Sequence, residues 1–151
     1  MSHTATIRVR FNELDPYNHV NHSVYATYFE AARVEALESV GMGLEVLAGE
    51  GWQVVVTELR VRFKRAAAAG DVLTVETRVG AATRATTTWH QRILRGDDLI
   101  ADAEVTVAVT DRRGRPVRPP DRIRDGLGRL GADLWPENLS PTERESHDRY
   151  H

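Results

Sequence analysis

Residues 15–40 read D-P-Y-N-H-V-N-H-S-V-Y-A-T-Y-F-E-A-A-R-V-E-A-L-E-S-V. The segment opens with the acid Asp15 in a polar, turn-forming stretch and continues as one long amphipathic helix. Asn21 stands where an N-cap is expected, and Gly41 follows where a left-handed C-terminal residue is favoured. The pattern therefore predicts a helix from about His22 to Val40. Its apolar face recurs at intervals of three and four residues, at Tyr25, Phe29, Ala32, Ala36 and Val40.

The rest of the chain alternates apolar and polar residues with the period of β-strands. In the second strand, alternate residues from Val55 to Phe63 form the face that we expect to meet the helix. The apolar helix must be buried against the sheet. We therefore predict an α+β fold, a five-stranded antiparallel sheet wrapped around one long central helix. The predicted strands are 5–11, 52–63, 72–79, 84–94 and 99–109, and a short helix is predicted at 121–130.

Composition narrows the function classes. The chain has 151 residues, which fits one domain, here residues 1–130, followed by a polar and flexible tail at 131–151. The net charge is −2 without a concentrated basic arm, so nucleic acid is not an expected partner. There are no cysteines, which excludes disulfides and thiolate metal sites. No apolar run is long enough for a membrane span or a secretory signal, so we expect a cytoplasmic protein.

Three segments carry a distinctive pattern. They are R-F-N-E-L-D-P-Y-N-H-V-N-H-S-V-Y-A-T-Y-F-E-A-A-R at 10–33, V-V-V-T-E-L-R-V-R-F-K-R-A-A-A-A-G-D-V-L at 54–73, and A-D-A-E-V-T-V-A-V-T-D at 101–111. Together they resemble the hotdog-fold acyl-CoA thioesterases of the 4-hydroxybenzoyl-CoA thioesterase type, over about residues 5–123. The resemblance implies that Asp15 is the catalytic carboxylate. It also implies that the backbone N–H of His22 binds the thioester oxygen.

Elementary chemistry agrees with these two assignments. Thioester hydrolysis builds negative charge on the carbonyl oxygen, and unpaired N–H groups at a helix N-terminus can stabilise that charge. A carboxylate just upstream, such as Asp15, can attack the carbonyl carbon or activate a water molecule. The sequence leaves these two routes open. The competing interpretation is that Asp15 merely forms a turn before Pro16.

Four further residues near Asp15 are candidates. His19 could orient the carboxylate or the water, or simply bond to its loop; plant acyl-carrier thioesterases, which are related, place a His at the same offset. Asn18 and Asn21 are assigned to substrate binding, although capping or bracing of the loop is the competing role. Tyr25 is expected to shape the acyl pocket rather than to donate a proton.

Basic residues are the candidates for binding the phosphates of coenzyme A. Arg84 is assigned by the resemblance, which places it in the turn from which the 4-hydroxybenzoyl-CoA enzyme reaches the nucleotide. Lys64 and Arg65 stand beside the A-A-A-A-G connection. No phosphate-binding loop, dinucleotide fingerprint or His/Cys cluster is present, so no metal and no cofactor are expected, apart from coenzyme A as part of the substrate.

Two other charged residues are not expected to take part in the chemistry. Glu58 is a second candidate acid, but its strand parity places it on the face opposite the helix, which favours a solvated residue. Arg33 is expected to pair with a neighbouring glutamate on the helix surface.

The sequence and its resemblance together predict an acyl-CoA thioesterase that acts as a homodimer or homotetramer, and the resemblance implies active sites between subunits. Three alternatives stay open at this point. They are an acyl-carrier-protein thioesterase, a non-catalytic acyl-CoA binding module and, least favoured, a hotdog hydratase.

Overall fold

A computed structural model describes residues 2–131 of the chain. The predicted tail at 131–151 lies outside these residues, apart from Gly131. The elements are β1 (His3–Arg8), α1 (His22–Ser39), α2 (Leu44–Glu50), β2 (Gln53–Phe63), β3 (Val72–Ala82), β4 (Thr86–Arg95), β5 (Asp98–Thr110) and α3 (Asp121–Arg129). Within the described part of the chain, no helix has both the length and the apolar character needed to cross a membrane.

All five strands form one antiparallel sheet in the order β1-β3-β4-β5-β2. Helix α1 packs on one face of this sheet, closest to β1 and β3. Alternate residues of β3, β4 and β5 are buried on that face, as the sequence pattern predicts. The predicted α+β hotdog fold is therefore confirmed.

The long helix begins and ends where the sequence predicts. The side chain of Asn21 accepts a hydrogen bond from Ser23 N at 3.0 Å, which caps the first turn. Gly41 has a φ of +77°, a left-handed conformation that glycine adopts without steric cost. The first turn of α1 is consequently fixed in position beside the loop that carries Asp15.

One buried polar network joins α1 to the sheet. Gln91 Nε2 donates to the carbonyl oxygen of Phe29 and to Thr77 Oγ1, both at 2.9 Å. Arg33 Nη1 donates to Gln91 Oε1 at 2.9 Å. The predicted pairing of Arg33 with a glutamate on the helix surface is wrong, because its side chain turns inward to Gln91. Burial lowers the pKa of Arg33, while the charge of Glu30 acts in the opposite direction.

The first strand is shorter than predicted. It ends at Arg8, and Phe11 begins a 3-10 turn in which its side chain is 84% exposed. The reason is local: Glu13 turns back and accepts a hydrogen bond from Arg10 N at 2.7 Å, which closes the turn and ends the strand pairing.

The expectation that one whole face of β2 meets the helix is also wrong. A β-bulge between Val56 and Glu58 shifts the alternation, and β2 is an edge strand that lies away from most of α1. Val55 and Leu59 are exposed by 39% and 41%. At the end of the strand, Phe63 does reach the helix, with its ring centroid 5.4 Å from that of Tyr25.

Candidate active site

Asp15 sits in a tight turn that fixes its carboxylate. Oδ1 accepts hydrogen bonds from Tyr17 N at 2.8 Å and from His19 N at 3.2 Å. The backbone N–H of Asp15 donates to the carbonyl oxygen of His19 at 2.7 Å, and Asn18 N donates to that of Asp15 at 3.0 Å. Asn18 closes the turn with a φ of +63°, a conformation that asparagine tolerates better than most residues. The turn therefore holds one oxygen of the carboxylate in place.

The other carboxylate oxygen is available. Within residues 2–131, Oδ2 of Asp15 accepts no hydrogen bond and forms no ion pair. An ionised carboxylate has lone pairs on both oxygens, so Oδ2 retains the capacity to attack a carbon or to accept a proton. His19 contacts Asp15 through its main chain rather than through its ring.

The start of α1 presents one free donor. Ser23 N is capped by Asn21 Oδ1, which also accepts a hydrogen bond from Ser23 Oγ at 2.9 Å, and Val24 N donates to the carbonyl oxygen of Asn21 at 2.9 Å. In the described part of the chain, the backbone N–H of His22 has no acceptor. This amide is at the positive end of the helix dipole, where an anion is favoured.

The free oxygen and the free amide belong to residues that line the same open cleft, which has a volume of about 320 Å³. The cleft brings together six of the predicted site residues: Asp15, His19, His22, Tyr25, Lys64 and Arg65. Its remaining lining consists of Val20, Phe63 and Ala66, which sequence reasoning missed. Of these three residues, only Phe63 could have been identified from the sequence, because it is the last apolar residue of a strand and lies next to two basic residues.

The loop between β2 and β3 forms one wall of the cleft and is tied to α1. Val20 N donates to the carbonyl oxygen of Ala67 at 2.8 Å, and Ala67 N donates to the hydroxyl oxygen of Tyr25 at 3.1 Å. Lys64 N and Arg65 N both donate to the carbonyl oxygen of Ile100, at 2.8 and 3.1 Å. The wall is thereby fastened to the sheet on one side and to the helix on the other.

Asp71 and Arg95 brace the same loop from below. Asp71 Oδ2 accepts hydrogen bonds from Ala68 N at 2.9 Å and from Arg95 Nη1 at 2.8 Å. These two contacts hold the pKa of Asp71 below its usual value. Neither Asp71 nor Arg95 is a candidate in the sequence analysis.

Three predicted residues play other parts in the structure. Asn21 caps the helix, and exposed Asn18 closes the Asp15 turn without lining the cleft. Arg84 lies in the turn between β3 and β4, whereas Asp71 directly precedes β3. The 11 residues of β3, which extend over roughly 33 Å, therefore separate Arg84 from the Asp15 end of the same chain.

Arg84 lines a second and larger cleft, of about 680 Å³, together with Arg118 and Arg124. The alternative acid Glu58 lies on β2 with its side chain 65% exposed, and Arg60 Nη2 is 3.9 Å from its Oε1. Among the residues that the structure describes, no group of three or more His, Asp or Glu side chains could hold a metal ion.

Comparison with known proteins identifies the family. The sequence profile of a family described as the thioesterase-like superfamily matches residues 9–127. The chain is 32% identical over 126 residues to the acyl-CoA thioesterase YbgC of Haemophilus influenzae, which covers 82% of this chain and 93% of that protein. It is 32% identical over 124 residues to the chloroplastic acyl-acyl carrier protein thioesterase ATL3 of Arabidopsis thaliana.

The two relatives differ in how much of their length this chain matches. The alignment with the plant protein covers 81% of this chain and 65% of the plant protein, so this chain spans about two thirds of that relative's length. Among solved structures, a hypothetical protein of Thermus thermophilus is 32% identical with a TM-score of 0.80, covering 85% of this chain and 98% of that one.

Proposed function

The chain belongs to the thioesterase-like superfamily, and we propose that it hydrolyses an acyl-CoA thioester to a carboxylic acid and coenzyme A. The observation that carries this proposal concerns two residues that line one cleft. Asp15 has a free carboxylate oxygen, and His22 has a free backbone amide at the start of α1. The similarity to YbgC, which is named an acyl-CoA thioesterase, supports the same substrate class. The narrower kinship with 4-hydroxybenzoyl-CoA thioesterases is part of the proposal.

In the proposed reaction, the His22 N–H binds the thioester carbonyl oxygen and the carbonyl carbon faces Asp15 Oδ2. In one route, Oδ2 attacks the carbon, the C–S bond breaks, the thiolate leaves, and water then hydrolyses the resulting anhydride. In the other route, Oδ2 takes a proton from a water molecule whose oxygen attacks the carbon, and the thiolate leaves with a proton. In both routes the helix amide stabilises the negative charge that develops on the oxygen.

The decisive experiment replaces Asp15 with Asn and measures thiol release from short-chain, long-chain and aromatic acyl-CoA substrates. Since the amide lacks both the nucleophile and the base, we expect kcat to fall by about 10³-fold or more. Binding of substrate should be largely retained, because the turn around Asp15 can form with either side chain. The matched control is Glu58→Gln, which neutralises the alternative acid on β2 and should leave kcat unchanged. Full activity of Asp15→Asn would refute the proposal.

Arg84 lies far from Asp15 within one chain, so it would contact a substrate bound at Asp15 only from a second copy of the chain. Its position therefore favours a homo-oligomer. β2 is a long edge strand with four exposed apolar residues, Val55, Val56, Leu59 and Phe63, which are 39–52% exposed. An edge of this kind is expected to pair with another strand. Antiparallel pairing of β2 with a second copy about a two-fold axis would bring the start of one β2 next to the end of the other. A basic end of the second copy would then approach the Asp15 cleft and could supply the phosphate-binding residues, including Arg84.

Within one chain, the start of β2 is indeed basic. The Arg112 side chain lies beside Gly51, just before β2, and a β-carbon at position 51 would be 3.4 Å from its Nε. Arg113 and Arg115 follow in the same turn.

The test of the proposed homo-oligomer is Leu59→Lys, which we expect to shift the dimer or tetramer toward monomer in light scattering and to raise KM. Thr6→Lys places the same charge on the other edge strand and serves as the control. A wild-type monomer with full activity would contradict this part of the proposal.

An acyl-carrier-protein thioesterase is the second candidate, favoured by the similarity to ATL3 and by His19 at the offset noted for plant enzymes. The same Asp15 and His22 chemistry would then act on a protein-tethered acyl chain. Comparing kcat/KM for matched acyl-CoA and acyl-carrier-protein substrates separates the two. A binding module without catalysis is distinguished by substrate binding without thiol release. No bound cofactor is proposed, and a cytoplasmic location stays a prediction.

A further inference from the structure

Two tyrosines on adjacent turns of α1 differ in how their hydroxyl groups are used. Tyr25 and Tyr28 are both buried, each with 3% of its surface exposed, and their rings meet edge to face with centroids 6.1 Å apart. The hydroxyl of Tyr28 donates to Glu13 Oε1 at 2.7 Å. The hydroxyl oxygen of Tyr25 instead accepts a hydrogen bond, from Ala67 N at 3.1 Å.

The hydroxyl proton of Tyr25 is therefore uncommitted. In the part of the chain that the structure describes, the Tyr25 hydroxyl donates no hydrogen bond. The Tyr25 side chain lines the Asp15 cleft, whereas Tyr28 does not. A buried hydroxyl that accepts one bond and donates none retains a donor for a ligand.

Tyr25 and His22 line the same cleft. Because side chains on a helix lean toward its N-terminus, we expect the Tyr25 hydroxyl on the side of the first turn, where the His22 amide is free. The bond from Ala67 N fixes the hydroxyl oxygen on the cleft wall. Burial raises the pKa of Tyr25 and outweighs the opposite effects of the Ala67 hydrogen bond and the Arg95 charge, so the hydroxyl keeps its proton at neutral pH.

We propose that the Tyr25 hydroxyl donates the second hydrogen bond to the thioester carbonyl oxygen, beside the His22 amide. This inference rests on the proposed thioester hydrolysis. Its role is to stabilise the oxygen as negative charge develops, without transferring its proton. A donor that is held in place before the reaction is worth about 10²- to 10³-fold in kcat when it points at such an oxygen.

The first experiment compares Tyr25→Phe with the matched control Tyr28→Phe in octanoyl-CoA hydrolysis. We expect kcat of Tyr25→Phe to fall by about 10²-fold with little change in KM. Tyr28→Phe should keep its kcat, although it loses a hydrogen bond and some thermal stability. Binding of octyl-CoA, the thioether that lacks the carbonyl oxygen, should be unchanged in Tyr25→Phe. A wild-type kcat in Tyr25→Phe, or an equal loss of thioether affinity, would overturn the inference.

A second variant removes the risk that Tyr25→Phe disturbs the loop, since Phe offers no acceptor to Ala67 N. Site-specific 3,5-difluorotyrosine at position 25 keeps the ring and the oxygen but is more acidic. We expect its kcat to fall as pH rises through the lowered pKa of the fluorinated phenol, in a range where wild-type kcat stays level. An unchanged pH profile would refute hydrogen-bond donation.

The two proposals fail in different ways. If wild type releases no thiol from any acyl thioester, or if Asp15→Asn keeps full activity, thioester hydrolysis at this site is wrong. If Asp15→Asn is inactive and Tyr25→Phe is fully active, only the role of Tyr25 is wrong.

Discussion

The two ends of the sheet carry clefts of opposite character. At the Asp15 end, the cleft is about 320 Å³, and the groups around it are held by short backbone hydrogen bonds. At the Arg84 end, the cleft is about 680 Å³ and is lined by three exposed arginines, of which Arg124 pairs with Asp121 at 2.8 Å. The larger cleft has long cationic side chains and no acid among its described lining residues. A catalytic group must be held in place and must keep a free donor or acceptor, so the smaller cleft is the better candidate for the active site.

This contrast predicts that bracing contacts matter at the Asp15 end and not at the other. Asp71→Asn removes a charged partner of both Ala68 N and Arg95. We expect the free energy of unfolding at pH 7 to fall by about 1–2 kcal/mol, since the group is partly open to water. Asp97→Asn, in the exposed turn between β4 and β5, is the control and should have no effect. Urea denaturation measures both.

The same variant should show a defined pH dependence. The folded-state pKa of Asp71 is lowered, so its contribution to stability is complete above the ordinary aspartate value of about 3.9. That contribution is lost as pH falls through the lowered pKa. The difference in unfolding free energy between wild type and Asp71→Asn should therefore shrink below about pH 4. A difference that stays constant down to pH 2 would contradict the assigned hydrogen bonds.

A smaller effect is expected from Asn21→Ala, which removes the cap of α1. Loss of an N-cap side chain costs about 1 kcal/mol of stability. It also frees Ser23 N beside the His22 amide, so kcat should change more than it does in Thr27→Ala, an exposed substitution one turn along the helix. Thermal unfolding and thiol release measure the two effects. Equal kcat values in the two variants would show that the amide at the helix start is not involved.

The smallest effect is expected at the opposite end of the sheet. Arg84→Ala should leave kcat and stability unchanged, because its side chain is exposed and far from Asp15 in the same chain. If a second copy brings Arg84 to the phosphates, KM should rise several-fold, and that rise should fall with added salt. A loss of kcat comparable to that of Asp15→Asn would reverse the ranking of the two clefts.

Local patterns predicted most of the fold and most of the residues that line the Asp15 cleft. The helix start at Asn21 and the left-handed Gly41 follow from short-range rules that the tertiary structure did not override. The position of Asp15 before the helix is likewise a matter of neighbouring residues. For these features, the sequence and the structure agree because few long-range contacts are involved.

Long-range placement could not be predicted in the same way. The alternation of β2 predicted a buried face, but a bulge and an edge position leave Val55 and Leu59 exposed. A pattern along one strand does not reveal which strands become edges. The uncommitted proton of Tyr25 depends on Ala67, which is 42 residues away in sequence, and the inward turn of Arg33 depends on Gln91.

The turn around Asp15 itself contains the backbone amides that orient the Asp15 carboxylate. Both amides that hold Oδ1 come from within four residues of the acid, whereas the facing wall of the cleft comes from the loop after β2. In the proposed thioesterase, we therefore expect side-chain substitutions in that wall to alter which acyl chains fit, while Oδ2 of Asp15 keeps its direction.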